Sequence, residues 1–111
     1  MMPANAVKSV AVIGNGLMGQ GISQVFARAG KTVHLIGRNP ASLDKAMAAI
    51  NTNFGAFVGR GLTTEADASA ALARIIPGTD YNAAGRADHV IEAVPAVRRR
   101  GRRSRRRLLR P

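Results

Sequence analysis

Cysteine is missing from the sequence, so no disulfide framework, thiolate nucleophile or zinc-thiolate site can be built from it. Long apolar runs are missing as well: no stretch approaches the ~18 residues of a membrane span. The amino terminus, Met1-Met2-Pro3-Ala4-Asn5-Ala6-Val7-Lys8, lacks the basic start and long apolar segment of an export signal. A cytoplasmic protein with no membrane span is the expectation. Acidic residues are scarce, six against 17 basic ones, and unevenly placed. The first 97 residues hold all six acids and eight of the basic residues, whereas residues 98–111 hold nine arginines and no acid. The formal charge of +11 is therefore a property of the tail, not of the body of the chain. At 111 residues there is room for one domain with one core.

The most informative stretch is Ser9 to Ile22, an apolar strand that runs into a glycine turn and opens a helix. Gly14, Gly16 and Gly19 have the spacing G-x-G-x-x-G. In that pattern the first glycine permits the tight turn, the second lets a diphosphate approach the backbone, and the third lets the helix pack close to the sheet. The anion then rests on free N–H groups at the helix start, where the macrodipole is equivalent to about half a positive charge. A sharp turn with no ligand is the bland alternative. The context weighs against it, because the strand is apolar on both faces and the helix carries apolar residues at Met18, Ile22, Val25, Phe26 and Ala29. A nucleotide-triphosphatase loop fails, since Gln20 and Gly21 stand where Lys and Ser or Thr are required.

The rest of the body reads as alternating strands and helices. A helix from Leu17 to Ala29 ends before Gly30, and Thr32 to Ile36 completes a βαβ unit. Asn39-Pro40 starts a long helix whose apolar positions run from Leu43 to Val58, with Met47, Phe54 and Phe57 expected in the core. Gly59-Arg60-Gly61 breaks it, and Thr63 or Thr64 caps another helix through Leu72. Ile75-Ile76 is a short third strand, Thr79 to Ala87 a turn with room for one helical turn, and Asp88 to Pro95 a fourth strand and its exit. The fold class is α/β: a Rossmann-type parallel sheet, truncated to its first half of about four strands, with a helical hairpin between strands two and three. Residues 1–96 form this partial domain and residues 97–111 a separate tail. One lateral strand is left unpaired, which invites self-association through the sheet edge.

Where strand two ends, Gly37 and Arg38 stand in place of the Asp or Glu that holds the adenosine ribose in NAD-specific sites. The missing carboxylate weakens NAD by on the order of 1.5–3 kcal/mol, and Arg38 can pair with a 2′-phosphate. NAD and NADP both stay open, as does a solvated arginine in a turn. Glu92 ends strand four beside the cleft, as a polar wall of the nicotinamide side or a hydrated strand terminus. His34 and His89 read as strand residues, with no further His, Asp or Glu placed to complete a metal set.

The chain resembles the NAD-binding domain of the 3-hydroxyacyl-CoA dehydrogenases over residues 7–95. The resemblance rests on Val10 to Ala27, on Gly61-Leu62-Thr63-Thr64-Glu65-Ala66 before Ala71-Leu72-Ala73-Arg74-Ile75, and on Asp88-His89-Val90-Ile91-Glu92-Ala93-Val94-Pro95. The β-hydroxyacid dehydrogenases share the Met18-Gly19 signature but not this fourth strand. The resemblance implies that the backbone at Leu17 and Met18 touches the diphosphate and that Glu92, Ala93 and Val94 line the nicotinamide half. It also places the hairpin around Arg60 toward a CoA arm. Gly37 departs from the family's usual Asp. The family oxidises the 3-hydroxyl of an acyl-CoA with a His–Glu pair that follows the fourth strand, next to a helical domain. Residues 1–111 contain neither, so acyl-CoA is expected as a partner only of a full-length relative, and this chain is expected to be inactive alone.

The tail from Val97 to Pro111 should be disordered, since like charges repel and little apolar surface is available. Three origins compete: a GC-rich gene read out of frame, an inert solvated tail, or an arm that binds nucleic acid or another polyanion without sequence preference. No aromatic residue interleaves the arginines to stack bases.

Overall fold

A computed structural model describes residues 7–93. The lead-in before Val7, Val94, the 96/97 domain boundary and the arginine-rich tail lie outside them. In chain order the elements are β1 (Ser9–Ile13), α1 (Leu17–Arg28), β2 (Thr32–Ile36), α2 (Pro40–Gly59), α3 (Glu65–Ala73), β3 (Ile75–Gly78), a 3-10 segment (Tyr81–Arg86) and β4 (His89–Glu92). The four strands form one parallel sheet in the order β3-β2-β1-β4, so the two central strands are the first two in sequence. This is the Rossmann-type half-sheet expected, with the α2–α3 hairpin between β2 and β3.

Alternation along the strands decides which residues build the core. Val10 and Val12 of β1 and Val33 and Leu35 of β2 are fully buried and meet Ala27 of α1, Leu43, Ile50 and Phe54 of α2, and Ala71 of α3. Each such aliphatic side chain contributes roughly 1.5–3 kcal/mol on leaving water. Phe54 is in this core as expected, and Met47 and Phe57 pack half-buried against it. His34 alternates with Val33 and Leu35 and so lies on the opposite face, paired in register with Ala11 and Ile76.

Only part of the apolar stripe of α1 is buried: Ile22 and Phe26 pack half-buried against the core, Met18 and Val25 are each 66% exposed, and the fully buried positions are Gly19, Ser23, Gln24 and Ala27. The reason is the short turn out of β1, which brings the helix down close to the strand. Three of the four buried residues, Gly19, Ser23 and Ala27, are small and four residues apart, so they share one face that allows the close approach.

The helix ends follow their sequence signals. Asn39 Oδ1 accepts from the N–H groups of Ala41 (2.8 Å) and Ser42 (3.4 Å), and Pro40 opens α2. Gly30 and Gly61 adopt positive φ, +91° and +75°, just beyond the ends of α1 and α2. Thr64 Oγ1 accepts from Asp67 N at 3.1 Å and caps α3. The hairpin is fastened to the end of α1 by the Arg28 guanidinium, 4.9 Å from the centre of the Phe57 ring, and by Arg74 Nη1 donating to Ala27 O at 2.7 Å. β3 runs two residues further than expected, through Pro77 and Gly78. A proline is tolerated there because β3 is a lateral strand whose outer side needs no ladder donor.

Candidate functional site

Parallel register gathers the carboxyl ends of the strands on one rim. Ile13, the last residue of β1, lies level with Ile36 of β2 and with Glu92 of β4. The next residue of each strand is therefore a neighbour on that rim: Gly14, Gly37 and Ala93. Backbone bonds fix them there, from Gly14 N to Ile36 O (2.8 Å), from Ala93 N to Ile13 O (2.7 Å) and from Gly37 N to Gly78 O (3.1 Å).

Within the glycine turn the three glycines are required for different reasons. Gly14 has φ +112°, a conformation that a side chain would strain. A Cβ on Gly19 would overlap the Gly14 carbonyl oxygen, so α1 could not start where it does. Gly16 is unlike both. Its φ of −75° suits any residue, and a Cβ there would meet nothing within 4 Å. The fold itself does not need this glycine. What it keeps clear is open space above the turn, at the start of α1.

That start is also electrostatically prepared. α2 and α3 are capped by side chains, but Gly16 supplies no side-chain cap to α1, and no acid lies in the first turn. The first N–H groups of α1 thus face outward with the positive end of the helix dipole. Leu17 and Met18, 87% and 66% exposed, flank them. A diphosphate fits this cradle: backbone donors, a favourable dipole and the room left at Gly16.

On the β2 side of the rim Gly37 is buried and Arg38 exposed. On the β4 side Glu92 is exposed, whereas the Ala93 side chain is buried in the core, so only its peptide reaches the rim. His34 pairs with the middle of β1, and His89 begins β4, beside Val10 near the other end of the sheet. Neither reaches the cradle. Among the described residues no cluster of three or more metal-ligating side chains occurs. A groove of about 320 Å³ lies between α2 and α3, lined by Phe54, Val58, Ala68 and Leu72, and holds none of the expected cofactor residues.

Sequence reasoning missed three polar residues around the cradle. Asn15 Nδ2 donates to Ser42 Oγ at 3.0 Å, and Gln20 Nε2 donates to Asn15 O at 3.1 Å. The signal was available as an amide between the first two glycines in a chain that lacks an acid at position 37. Only the fold shows that the two positions touch.

Residues 9–100 match the family described as 3-hydroxyacyl-CoA dehydrogenase, NAD binding domain. A 3-hydroxyadipyl-CoA dehydrogenase of Escherichia coli K12 is 41% identical over 87 residues, which is 78% of this chain and 18% of that protein. A 3-hydroxybutyryl-CoA dehydrogenase of Clostridioides difficile is 36% identical over 84 residues, 76% of this chain and 30% of that one. The crystal structure of a 3-hydroxybutyryl-CoA dehydrogenase from Escherichia coli K12 superposes with a TM-score of 0.77 at 40% identity, covering 80% of this chain and 19% of that one. The chain thus spans less than a third of the length of these proteins.

Proposed function

The chain belongs to the 3-hydroxyacyl-CoA dehydrogenase family through its NAD-binding domain, and from this premise we propose that residues 9–93 hold a nicotinamide dinucleotide by its diphosphate at the start of α1. Gly16 is the observation that carries the reading, because it sits at the uncapped start of α1 in the G-x-G-x-x-G turn, where the fold does not require a glycine and a diphosphate does. The N–H groups at Leu17, Met18 and Gly19 receive the diphosphate. Gly37 and Arg38 face the adenosine end, Glu92 and the peptide of Ala93 the nicotinamide end. When bound, the nicotinamide supplies a hydride acceptor for the carbon bearing a 3-hydroxyl. The substrate class is a 3-hydroxyacyl-CoA, in a cytoplasmic setting. With no carboxylate at position 37 and with Arg38 beside it, the site takes NAD and NADP.

Residues 1–111 by themselves do not turn over. Both histidines lie away from the rim, so among the described residues Glu92 at the nicotinamide end has no imidazole beside it to take the proton of the substrate hydroxyl. The test is titration of the chain with NADH and NADPH, followed by reduced-nucleotide fluorescence, for the wild type and Gly16→Ala. The variant should melt at the wild-type temperature and lose at least about tenfold in affinity for both nucleotides, since its methyl group occupies the approach path. Equal affinity in the variant would remove the diphosphate from this turn. An acetoacetyl-CoA assay with the same protein should show no turnover.

A further inference from the structure

The Asn15 side chain lies across the rim in an orientation that its neighbours determine. Ser42 Oγ is within hydrogen-bond reach of two groups, donating to Asn39 O at 2.9 Å and meeting Asn15 Nδ2 at 3.0 Å. A hydroxyl has one proton, and here it is spent on the carbonyl of Asn39. With the amide nitrogen toward Ser42 both bonds are kept, whereas a flipped amide would take the Ser42 proton from Asn39 O; the nitrogen therefore faces Ser42 and Oδ1 turns the other way. The backbone of Asn15 is held as well, its carbonyl accepting from Gln20 Nε2.

The direction in which Oδ1 points is the consequential part. It lies 2.9 Å from where a Cβ on Gly37 would be, with Asn15 Cγ at 3.0 Å and Leu43 Cδ2 at 3.3 Å. A side chain at position 37 would require this amide to move from where it stands. The carboxylate that would reach an adenosine ribose from the end of β2 is thus not simply missing; an amide oxygen from the β1–α1 turn occupies the root of its position. Asn15 and Gly37 form a matched pair, each shaped by the other.

We propose that Asn15 Oδ1 is the acceptor for the adenosine ribose hydroxyl, a neutral substitute for an acid at position 37. The proposal rests on the dinucleotide reading above and deepens it. A neutral oxygen accepts a hydrogen bond from the 2′-hydroxyl of NAD without the charge that a carboxylate adds. For the same reason it does not repel a 2′-phosphate, and Arg38, exposed on the next residue, is free to pair with one. Discrimination between the two nucleotides is therefore weak, and Asn15 sets it.

The test is fluorescence titration of the 111-residue chain with NADH and with NADPH, for the wild type, Asn15→Asp and Asn15→Ala. Asp has the shape of Asn, and the Ser42 hydroxyl can rotate to donate to it, so the turn is preserved while a charge is added. Wild-type affinities should agree within about tenfold, and Asn15→Asp should move their ratio toward NADH by about tenfold or more. Asn15→Ala should weaken NADH by about fivefold and NADPH by less, because the arginine contact remains. Should the Asp variant fail to fold, as judged by circular dichroism, the Ala variant carries the test alone. A wild type that binds both nucleotides, with a ratio unchanged in the folded variants, overturns the assignment of Asn15 and leaves the diphosphate reading standing. A wild type that binds neither overturns both.

Discussion

Ser23 is fully buried on the sheet-facing side of α1, and its hydroxyl has no hydrogen-bond partner. A buried polar group left unpaired costs more than the hydrogen bond it fails to make. A small residue is needed at this position because α1 lies close over β1, but a hydroxyl is not. Ser23→Ala should therefore raise stability by on the order of 1 kcal/mol, the alanine also being the better helix former, as read from the urea midpoint. The glycines divide in the same residue-by-residue way. Gly14 and Gly19 are explained by backbone conformation and steric contact, Gly16 by neither. The spacing of the three was legible in the sequence. Which of them the empty fold requires was not, because that depends on the distance between α1 and the Gly14 carbonyl.

Among the elements, α1 shows how a periodic pattern can identify a helix and locate its buried side only in part. Met18, Ile22, Val25 and Phe26 recur at helical spacing, yet only Ile22 and Phe26 flank the buried small-residue face, and Met18 and Val25 stand in solvent. Val25→Lys should then leave stability within about 0.5 kcal/mol of wild type, as an exposed substitution does. Ala27→Leu, at a fully buried position against the sheet, should cost about 1–3 kcal/mol through overpacking. Thermal melts of the two variants separate the pattern from the packing. β4 is attached differently. Asp88 Oδ2 accepts from the N–H groups of Lys8 (2.8 Å) and Ser9 (3.1 Å), and the Asp88 N–H returns to Ser9 Oγ (3.1 Å), so the start of β4 is fastened to the start of β1. The two backbone donors hold the Asp88 carboxyl below the usual aspartate range. A carboxylate with a depressed folded pKa contributes stability in full above its unfolded value, about 3.9, and loses it as pH falls through the lower folded value. Asp88→Asn should accordingly lower the melting temperature at pH 7 and flatten its decline below about pH 4.

Taken as a whole molecule, the chain joins a body of nearly balanced charge to a terminal run of nine arginines. The proposed dinucleotide site belongs to the body, with its residues between Gly14 and Ala93. Any non-specific attraction to polyanions is expected from the arginines. Deleting residues 98–111 should leave the NADH titration unchanged and abolish salt-sensitive retention on heparin. Loss of nucleotide affinity in the truncated chain would transfer function to the tail. Local signals determined a great deal of this molecule: the alternation of strands and helices, the caps at Asn39 and Thr64, and the turn at Gly14 all act over a few residues and are written in neighbouring side chains. The order β3-β2-β1-β4, the rim that brings Gly37 and Ala93 beside Gly14, the exposure of Val25 and the Asn15–Gly37 contact were decided by tertiary structure alone. Each depends on how far apart two remote segments come to rest, and that distance is set by the packing of the whole sheet against its helices.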